Sequence, residues 1–202
     1  PIQRATQNVI DDSAAGALEP PQAREPAPSA VRPGNARGYR NAATVEFLYE
    51  PVGRTFAFLE VNTRLQVEHP VTEATCGVDL VKLQLLVASG APLTGDPPPE
   101  RGHAVEARLN TEDPERGFAP APGVLRRLRF PSGPGIRVDT CGYAGYRPSP
   151  RYDSLLAKLV VTSRSPALED AAAKAYRALC ELNVAGIATN AAFLQALLRH
   201  PD

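Results

Sequence analysis

The sequence lacks the features that mark several large classes of protein. It contains no methionine, no tryptophan and no excess of either charge, with 22 basic against 22 acidic residues. Balanced charge gives no indication of a nucleic-acid partner. No apolar run reaches the ~18 residues of a membrane span, and the first residues contain no apolar segment of a secretory signal. We therefore predict a cytoplasmic protein with no nucleic-acid or membrane partner.

Cysteine is also scarce. Cys76, Cys141 and Cys180 are odd in number, far apart and outside any CxxC or Cys/His cluster. Such spacing favours reduced thiols over a disulfide framework or a metal site. The chain has no initiator methionine and stops just after a helical pattern, so we expect the 202 residues to be a piece of a larger protein.

A β-hairpin pattern is the first positive feature. Residues 44–49 and 55–60 alternate like strands around a turn. If the loop between them has three residues (52–54), Glu46 lies directly opposite Glu60. Like charges on cross-strand neighbours repel, and a divalent cation between them would turn the repulsion into binding. The alternative is a solvated pair at a sheet edge, and a four-residue loop would shift the pairing and weaken the metal interpretation.

The second strand continues into a row of polar residues at every second position. In an extended strand, Glu60, Asn62, Arg64, Gln66 and Glu68 would share one face. Their carboxylates, amides and guanidinium suit a metal-bound anionic substrate with a base beside it. A straight strand would spread them over ~26 Å, so we expect the chain to curve near Gln66.

The remaining sequence predicts short strands and helices around two stretches rich in proline and glycine. Prolines make residues 13–38 irregular, and residues 90–101 form a linker. We therefore divide the chain into domains of residues 1–95 and 96–202. Asp79 is expected to cap a helix. The predicted strands cover 103–109, 124–130, 136–140 and 155–162, and the predicted helices cover 71–75, 80–89, 167–181 and 189–198.

The segment from Phe58 to Glu73 closely resembles the signature of biotin carboxylases, which are ATP-grasp ligases. Three further stretches resemble the same family in the same order: Thr44 to Leu48, Gly102 to Pro114, and Tyr152 to Leu159. The resemblance implies an α+β fold. The first predicted domain would be the C-terminal part of an ATP-grasp lobe. The second would be the biotin carboxylase C-terminal domain, an antiparallel or mixed sheet with helices.

The resemblance also implies a reaction. ATP and bicarbonate would form carboxyphosphate, whose carboxyl group passes to biotin on a partner domain. Glu46 and Glu60 would hold Mg²⁺, or Mn²⁺ in its place, against the nucleotide phosphates, and Asn62 would join a second metal. The implied cofactors are therefore ATP, a divalent cation, and biotin as the carboxyl acceptor.

Further roles follow from the same resemblance. Arg64, Gln66 and the backbone N–H of Val67 would bind bicarbonate, and Arg64 would also be catalytic. Glu68 would be the general base that deprotonates bicarbonate, and Arg108 would face the ureido oxygen of biotin. The implied partners are a biotin carboxyl carrier, a carboxyltransferase and a second copy of the chain in a homodimer.

Some features depart from the family pattern. The N-terminal nucleotide-fold domain of the family and its glycine-rich lid are not in this sequence. Asn8 stands where the family has a lysine that helps to bind bicarbonate. Losing that cation removes a charge-assisted hydrogen bond of about 1.5–3 kcal/mol. Without the resemblance, Arg108 beside Glu106 would suit a surface ion pair equally well.

Three interpretations stay open on the sequence alone. The chain is the C-terminal part of a working biotin carboxylase, a non-catalytic remnant that keeps the fold and a dimer interface, or a different ATP-grasp ligase of the carbamoyl-phosphate synthase type. The motifs around Arg108 and Tyr152 argue against the third. In each case we expect the isolated chain to be inactive.

Overall fold

Two compact units form in the computed structural model, which describes residues 1–13 and 26–201. The first, which we call the sheet unit, combines Pro1–Ser13 with the chain from Glu100 onward. The second, which we call the hairpin unit, is the segment 14–99. The first thirteen residues thus group with the second half of the chain. The predicted division into residues 1–95 and 96–202 placed them with the first half.

The described residues form strands, five α-helices and a 3₁₀ turn at Pro114–Arg116. The strands are β1 (Ile2–Arg4), β2 (Gln7–Asp12), β3 (Thr44–Glu50), β4 (Thr55–Asn62), β5 (His103–Asn110), β6 (Glu112–Asp113), β7 (Ala119–Pro120), β8 (Arg127–Arg129), β9 (Ile136–Thr140), β10 (Leu155–Ser163) and β11 (Asn183–Ala185). The helices are α1 (Pro26–Ala36), α2 (His69–Cys76), α3 (Leu80–Ala88), α4 (Leu168–Glu181) and α5 (Ala191–Leu197).

The sheet unit is built on a five-stranded sheet in the order β1-β2-β5-β10-β9. All of its neighbouring strands are antiparallel. Smaller two-stranded sheets pair β8 with β11 and β6 with β7. Helices with antiparallel sheets confirm the predicted α+β class.

The core of the sheet unit lies against helix α4. Val105 and Ala107 of β5 pair with Val161 and Leu159 of β10, and all four side chains are buried. Antiparallel partners share a face of the sheet, so these residues form one apolar surface. The helix meets this surface with residues at helical spacing. They are Ala171, Ala175, Ala178 and Leu179.

The hairpin unit contains β3, β4 and helices α1 to α3, and it has little core of its own. Among its described residues, two apolar side chains are buried, those of Pro70 and Val71. Helix α3 begins as predicted, because the Asp79 side chain accepts from the Lys82 N–H at 2.8 Å. Satisfying one of the first N–H groups in this way stabilises a helix start.

The predicted irregularity of residues 13–38 is wrong for residues 26–36, which form α1. Pro26 opens the helix and Pro28 lies in its first turn, where backbone N–H groups have no partner within the helix. Only Pro33 removes an interior donor. Three prolines therefore do not prevent a helix here, because two of them lie in its first turn. Residues 14–25 of the predicted stretch lie outside the described residues.

Candidate functional site

The β3–β4 hairpin brings two carboxylates together. Glu46 pairs with Glu60, as predicted, and Thr44 pairs with Asn62. The predicted loop is wrong, however, because Glu50 pairs with Thr55 across a four-residue turn. A bulge on β4 beyond this turn restores the pairing of the two glutamates.

The four-residue turn has a local cause. The Glu50 side chain accepts hydrogen bonds from the backbone N–H of Val52, at 2.9 Å, and of Gly53. A carboxylate that caps two turn donors stabilises this longer loop. The extra residue in the turn and the extra residue in the bulge offset each other, so Glu46 and Glu60 share a face of the hairpin, as expected from the sequence.

Two side-chain amides hold the carboxylates of Glu46 and Glu60 close together. Asn62 Nδ2 donates to Glu46 Oε1 at 3.0 Å and to Glu60 Oε1 at 2.7 Å. Gln66 Nε2 donates to the same Glu46 oxygen at 2.6 Å. Gln66 Oε1 is buried without a hydrogen-bond partner among the described residues. The cluster therefore combines converging acceptors with one buried acceptor that is unsatisfied.

The strand that would carry the row of polar residues from Glu60 does not extend to Glu68. Strand β4 ends at Asn62, the chain bends over residues 63–64, and α2 starts at His69. The Gln66 carbonyl stabilises the helix start by accepting from the His69 N–H at 3.3 Å and contacting His69 Nδ1 at 2.7 Å. The expected curvature is present, and it begins before Gln66.

The structure joins some of the predicted site residues and not others. Hydrogen bonds connect Glu46, Glu60, Asn62 and Gln66. Arg64 is exposed, and its guanidinium donates to the Leu65 carbonyl at 3.2 Å and not to the cluster. A metal at the cluster would need further ligands, since the described residues contain no group of three His, Cys, Asp or Glu side chains that could hold one.

A cavity of about 540 Å³ opens beside this cluster within the hairpin unit. Its polar wall includes Gln66 and Glu68, and its apolar wall includes Leu83 and Val87 of α3. Cavities of this size can admit small ligands. Glu68 therefore lines a space large enough for a small molecule.

Arg108 lies in the sheet unit, in a buried cluster of charges. Its Nε contacts Asp11 Oδ2 at 2.7 Å and Glu106 Oε1 at 3.8 Å. The side chains of Glu106, Asp11 and Arg108 are 0%, 5% and 15% exposed. The simple surface ion pair that the sequence also allowed is therefore wrong. The sequence prediction missed Asp11, which is 97 residues away from Arg108.

Comparison with known proteins assigns these residues to a family. Residues 106–202 match the biotin carboxylase C-terminal domain, and residues 1–95 match the carbamoyl-phosphate synthase L chain ATP-binding domain. Biotin carboxylase 1 of Bacillus subtilis is 40% identical over 98% of this chain, which covers 44% of that protein. The chain belongs to the biotin carboxylase family.

Two further relatives support the same family assignment. The biotin carboxylase of Pseudomonas aeruginosa is 42% identical over 98% of this chain and 43% of its own length. The biotin carboxylase domain dimer of Hydrogenobacter thermophilus 2-oxoglutarate carboxylase, solved with MgADP, ADP and bicarbonate, superimposes with a TM-score of 0.94. It is 37% identical over 100% of this chain and 44% of its own chain. The chain thus spans less than half the length of these relatives.

The predicted resemblance to biotin carboxylases is confirmed. The ATP-binding match over residues 1–95 bears the name of carbamoyl-phosphate synthase, but the match over residues 106–202 and the relatives above are biotin carboxylases. These matches argue against the third interpretation from the sequence, a different ATP-grasp ligase of the carbamoyl-phosphate synthase type. Among the described helices, none combines the length and apolar character that crossing a bilayer requires.

Proposed function

We propose that this chain is the C-terminal portion of a biotin carboxylase, a ligase that uses ATP and bicarbonate to carboxylate biotin on a carrier protein. Residues 1–95 would belong to the ATP-binding lobe, and residues 96–202 would form the C-terminal domain. The proposal depends mainly on one observation, the convergence of carboxylate and amide groups in the hairpin unit.

Glu46 and Glu60, with Asn62, would hold Mg²⁺ or Mn²⁺. Hard cations prefer oxygen ligands, and Mg²⁺ typically takes one or two carboxylates plus substrate phosphates. The two glutamates need a counter-charge, because carboxylates at paired positions repel. In this structure the Asn62 amide nitrogen donates to one oxygen of each glutamate, so Asn62 would have to rotate its amide to offer Oδ1 to the cation. When bound, the cation would neutralise charge on the phosphates of ATP.

Arg64, Gln66 and the Val67 N–H would bind bicarbonate beside Glu68. The planar guanidinium of Arg64 matches a planar three-oxygen anion better than an ammonium would. Gln66 would contribute its side-chain amide to this site. Glu68, on the wall of the same cavity as Gln66, would take the hydroxyl proton of bicarbonate and leave a better nucleophile for the terminal phosphate of ATP.

Arg108 would bind the ureido oxygen of biotin and stabilise the negative charge that forms there when N1 loses its proton. A guanidinium held in a fixed orientation can stabilise such a charge strongly. The partners of the complete protein would be a biotin carboxyl carrier and a carboxyltransferase, in the cytoplasm. A homodimer is supported by the dimeric biotin carboxylase domain of Hydrogenobacter thermophilus.

The isolated 202 residues test the first step of this proposal. We expect no bicarbonate-dependent ADP release from them, and measurable release would contradict the expected inactivity. When the remaining lobe of a biotin carboxylase is supplied, we expect carboxylation of free biotin. Glu68→Gln should then lower the rate by about 10²–10⁴-fold. Glu100→Gln, at an exposed linker position, is the matched control and should leave the rate unchanged.

A non-catalytic member of the family is the second candidate, and Asn8 favours it. The asparagine replaces an expected lysine, and it is bonded to Gln3 and Asp11 within the sheet unit. Restored activity in the assembled Asn8→Lys variant, with none in the wild type, would indicate a damaged enzyme. Inactivity of both proteins would favour the non-catalytic member.

A further inference from the structure

A chain of hydrogen bonds leads from β1 to Arg108. Gln3 Nε2 donates to Asn8 Oδ1 at 2.9 Å, and Asn8 Nδ2 donates to Asp11 Oδ1 at 2.8 Å. Asp11 Oδ2 accepts from Arg108 Nε at 2.7 Å. Both oxygens of the Asp11 carboxylate are therefore engaged, which fixes the rotation of that carboxylate.

The strand pairing explains why Asp11 reaches Arg108. Asp11 is the direct partner of Glu106 across β2 and β5, and Arg108 lies two residues further along the same face of β5. Asp11 is almost fully buried and Arg108 largely so. A charge-assisted hydrogen bond is strong in such surroundings, and releasing either group would leave a buried charge poorly compensated.

We propose that Asp11 is a positioning residue for Arg108, with Asn8 supporting Asp11. The carboxylate would hold the guanidinium from its Nε side and so present Arg108 to the ureido oxygen of biotin in one orientation. This inference depends on the proposed role of Arg108 in biotin binding. It gives the first thirteen residues a role in the biotin site, although Asn8 in this segment departs from the family pattern.

An aspartate at this position has a specific chemical reason. Both neighbours of the carboxylate, Asn8 Nδ2 and Arg108 Nε, are donors. An asparagine would offer one oxygen and one NH₂ group, so one of the two donors would face another donor. Misplacing a binding group by this kind of change commonly costs about tenfold or more in affinity or rate.

The adjacent aspartates provide a matched pair of variants. Asp11→Asn removes the negative charge beside Arg108 and leaves one acceptor oxygen for two donors. Asp12→Asn makes the same chemical change on the opposite face of β2, where Asp12 contacts the terminal amino group of Pro1 at 2.9 Å. The double change Asn8→Asp with Asp11→Asn exchanges the two side chains. It restores an acceptor for Arg108 and an acceptor for the amide at position 11.

The first measurement is the ¹⁵N NMR signal of the Arg108 Nε–H in the 202-residue chain, assigned with Arg108→Lys. We expect slow hydrogen exchange of this group in the wild type and in Asp12→Asn. Exchange should be at least tenfold faster in Asp11→Asn and partly slowed again in the exchanged double variant. Unchanged exchange in Asp11→Asn would overturn the inference, whether or not biotin binds.

The second measurement is binding of free biotin to the same proteins by saturation-transfer NMR. Asp11→Asn and Arg108→Lys should each bind about tenfold more weakly, and Asp12→Asn should bind normally. Normal biotin binding by Arg108→Lys, or no binding by the wild type, would contradict the proposed role of Arg108. Weak binding by Arg108→Lys combined with normal binding by Asp11→Asn would contradict the positioning role alone.

Discussion

The two units of the molecule use their apolar residues in opposite ways. The sheet unit buries apolar side chains of β2, β5 and β10 against α4 and α5. The hairpin unit leaves large apolar side chains in water, including Leu85 at 67% and Phe58 at 60% exposure. Burial contributes roughly 25 cal/mol per Å² of apolar surface, so the sheet unit has far more stabilisation of its own.

The difference shows which part of the molecule needs a further partner. A two-stranded hairpin is marginal by itself in water. One face of this hairpin carries Glu46 and Glu60, whereas the other carries Phe47 against Phe58 and Tyr49 against Phe56. We expect the apolar face to be covered by the rest of an ATP-binding lobe. The chain spans only 44% of the Bacillus subtilis relative, which agrees with this expectation.

Truncating a leucine in each unit should give the largest contrast. Leu179 on α4 is 1% exposed, so Leu179→Ala should lower the free energy of unfolding by about 2–5 kcal/mol. Leu85→Ala, the matched control on exposed α3, should change it by less than about 0.5 kcal/mol. Urea unfolding followed by circular dichroism measures both. Equal losses would mean that the hairpin unit has a core comparable to that of the sheet unit.

Glycine substitutions should give the next largest contrast. Gly186 and Gly90 both have positive φ, at 107° and 88°, so alanine costs about 1–2 kcal/mol at either position. In the sheet unit a Cβ at Gly186 would also clash with the Val124 carbonyl oxygen and lie 2.8 Å from the Arg126 nitrogen. Nothing lies within 4 Å at Gly90. Gly186→Ala should therefore lower the melting temperature clearly more than Gly90→Ala, and equal shifts would contradict the close packing around Gly186.

Loss of the α3 cap should have a smaller effect, confined to the hairpin unit. Asp79→Ala removes the hydrogen bond to the Lys82 N–H and should destabilise α3 by about 1 kcal/mol. Amide hydrogen exchange would detect this as faster exchange in α3 with unchanged exchange in β5 and β10. Asp96→Ala, in the exposed linker, is the control. Faster exchange in β5 as well would show that the two units unfold together.

Local patterns made much of this fold predictable. Strand β9 covers the same residues as its prediction, and α4 starts one residue later than predicted. The sheet unit follows from period-two and helical spacings, which depend on neighbouring residues. The pairing of Glu46 with Glu60 was also predicted, but from a loop length that is wrong. A bulge and a longer turn compensate for each other there, and neither leaves a reliable signal in one sequence.

Contacts between distant segments could not be predicted. Strands β1 and β2 were not expected, and β2 pairs with β5 almost a hundred residues later. The contact of Asp11 with Arg108 depends on this pairing, which hydrophobic spacing within either segment does not specify. Similarly, the row from Glu60 to Glu68 has perfect strand alternation, yet the chain leaves the strand at Asn62 because helix α2 begins at His69.

The smallest effect that we predict is a change in the pKa of Tyr146, in the loop after β9. It is tested by replacing one cysteine in each unit. The charge of the Cys141 thiolate, with its hydrogen bond to the phenol, raises the pKa of Tyr146 above 10.0. This raised pKa favours the folded state below the ordinary tyrosine pKa, and the contribution is lost as pH rises through the folded value. Cys141→Ser should therefore move the Tyr146 pKa back towards 10, seen as earlier phenolate absorbance in an alkaline titration. Cys76→Ser, in the hairpin unit, should leave the titration unchanged, and equal curves for both variants would show that the thiolate at position 141 has no influence on Tyr146.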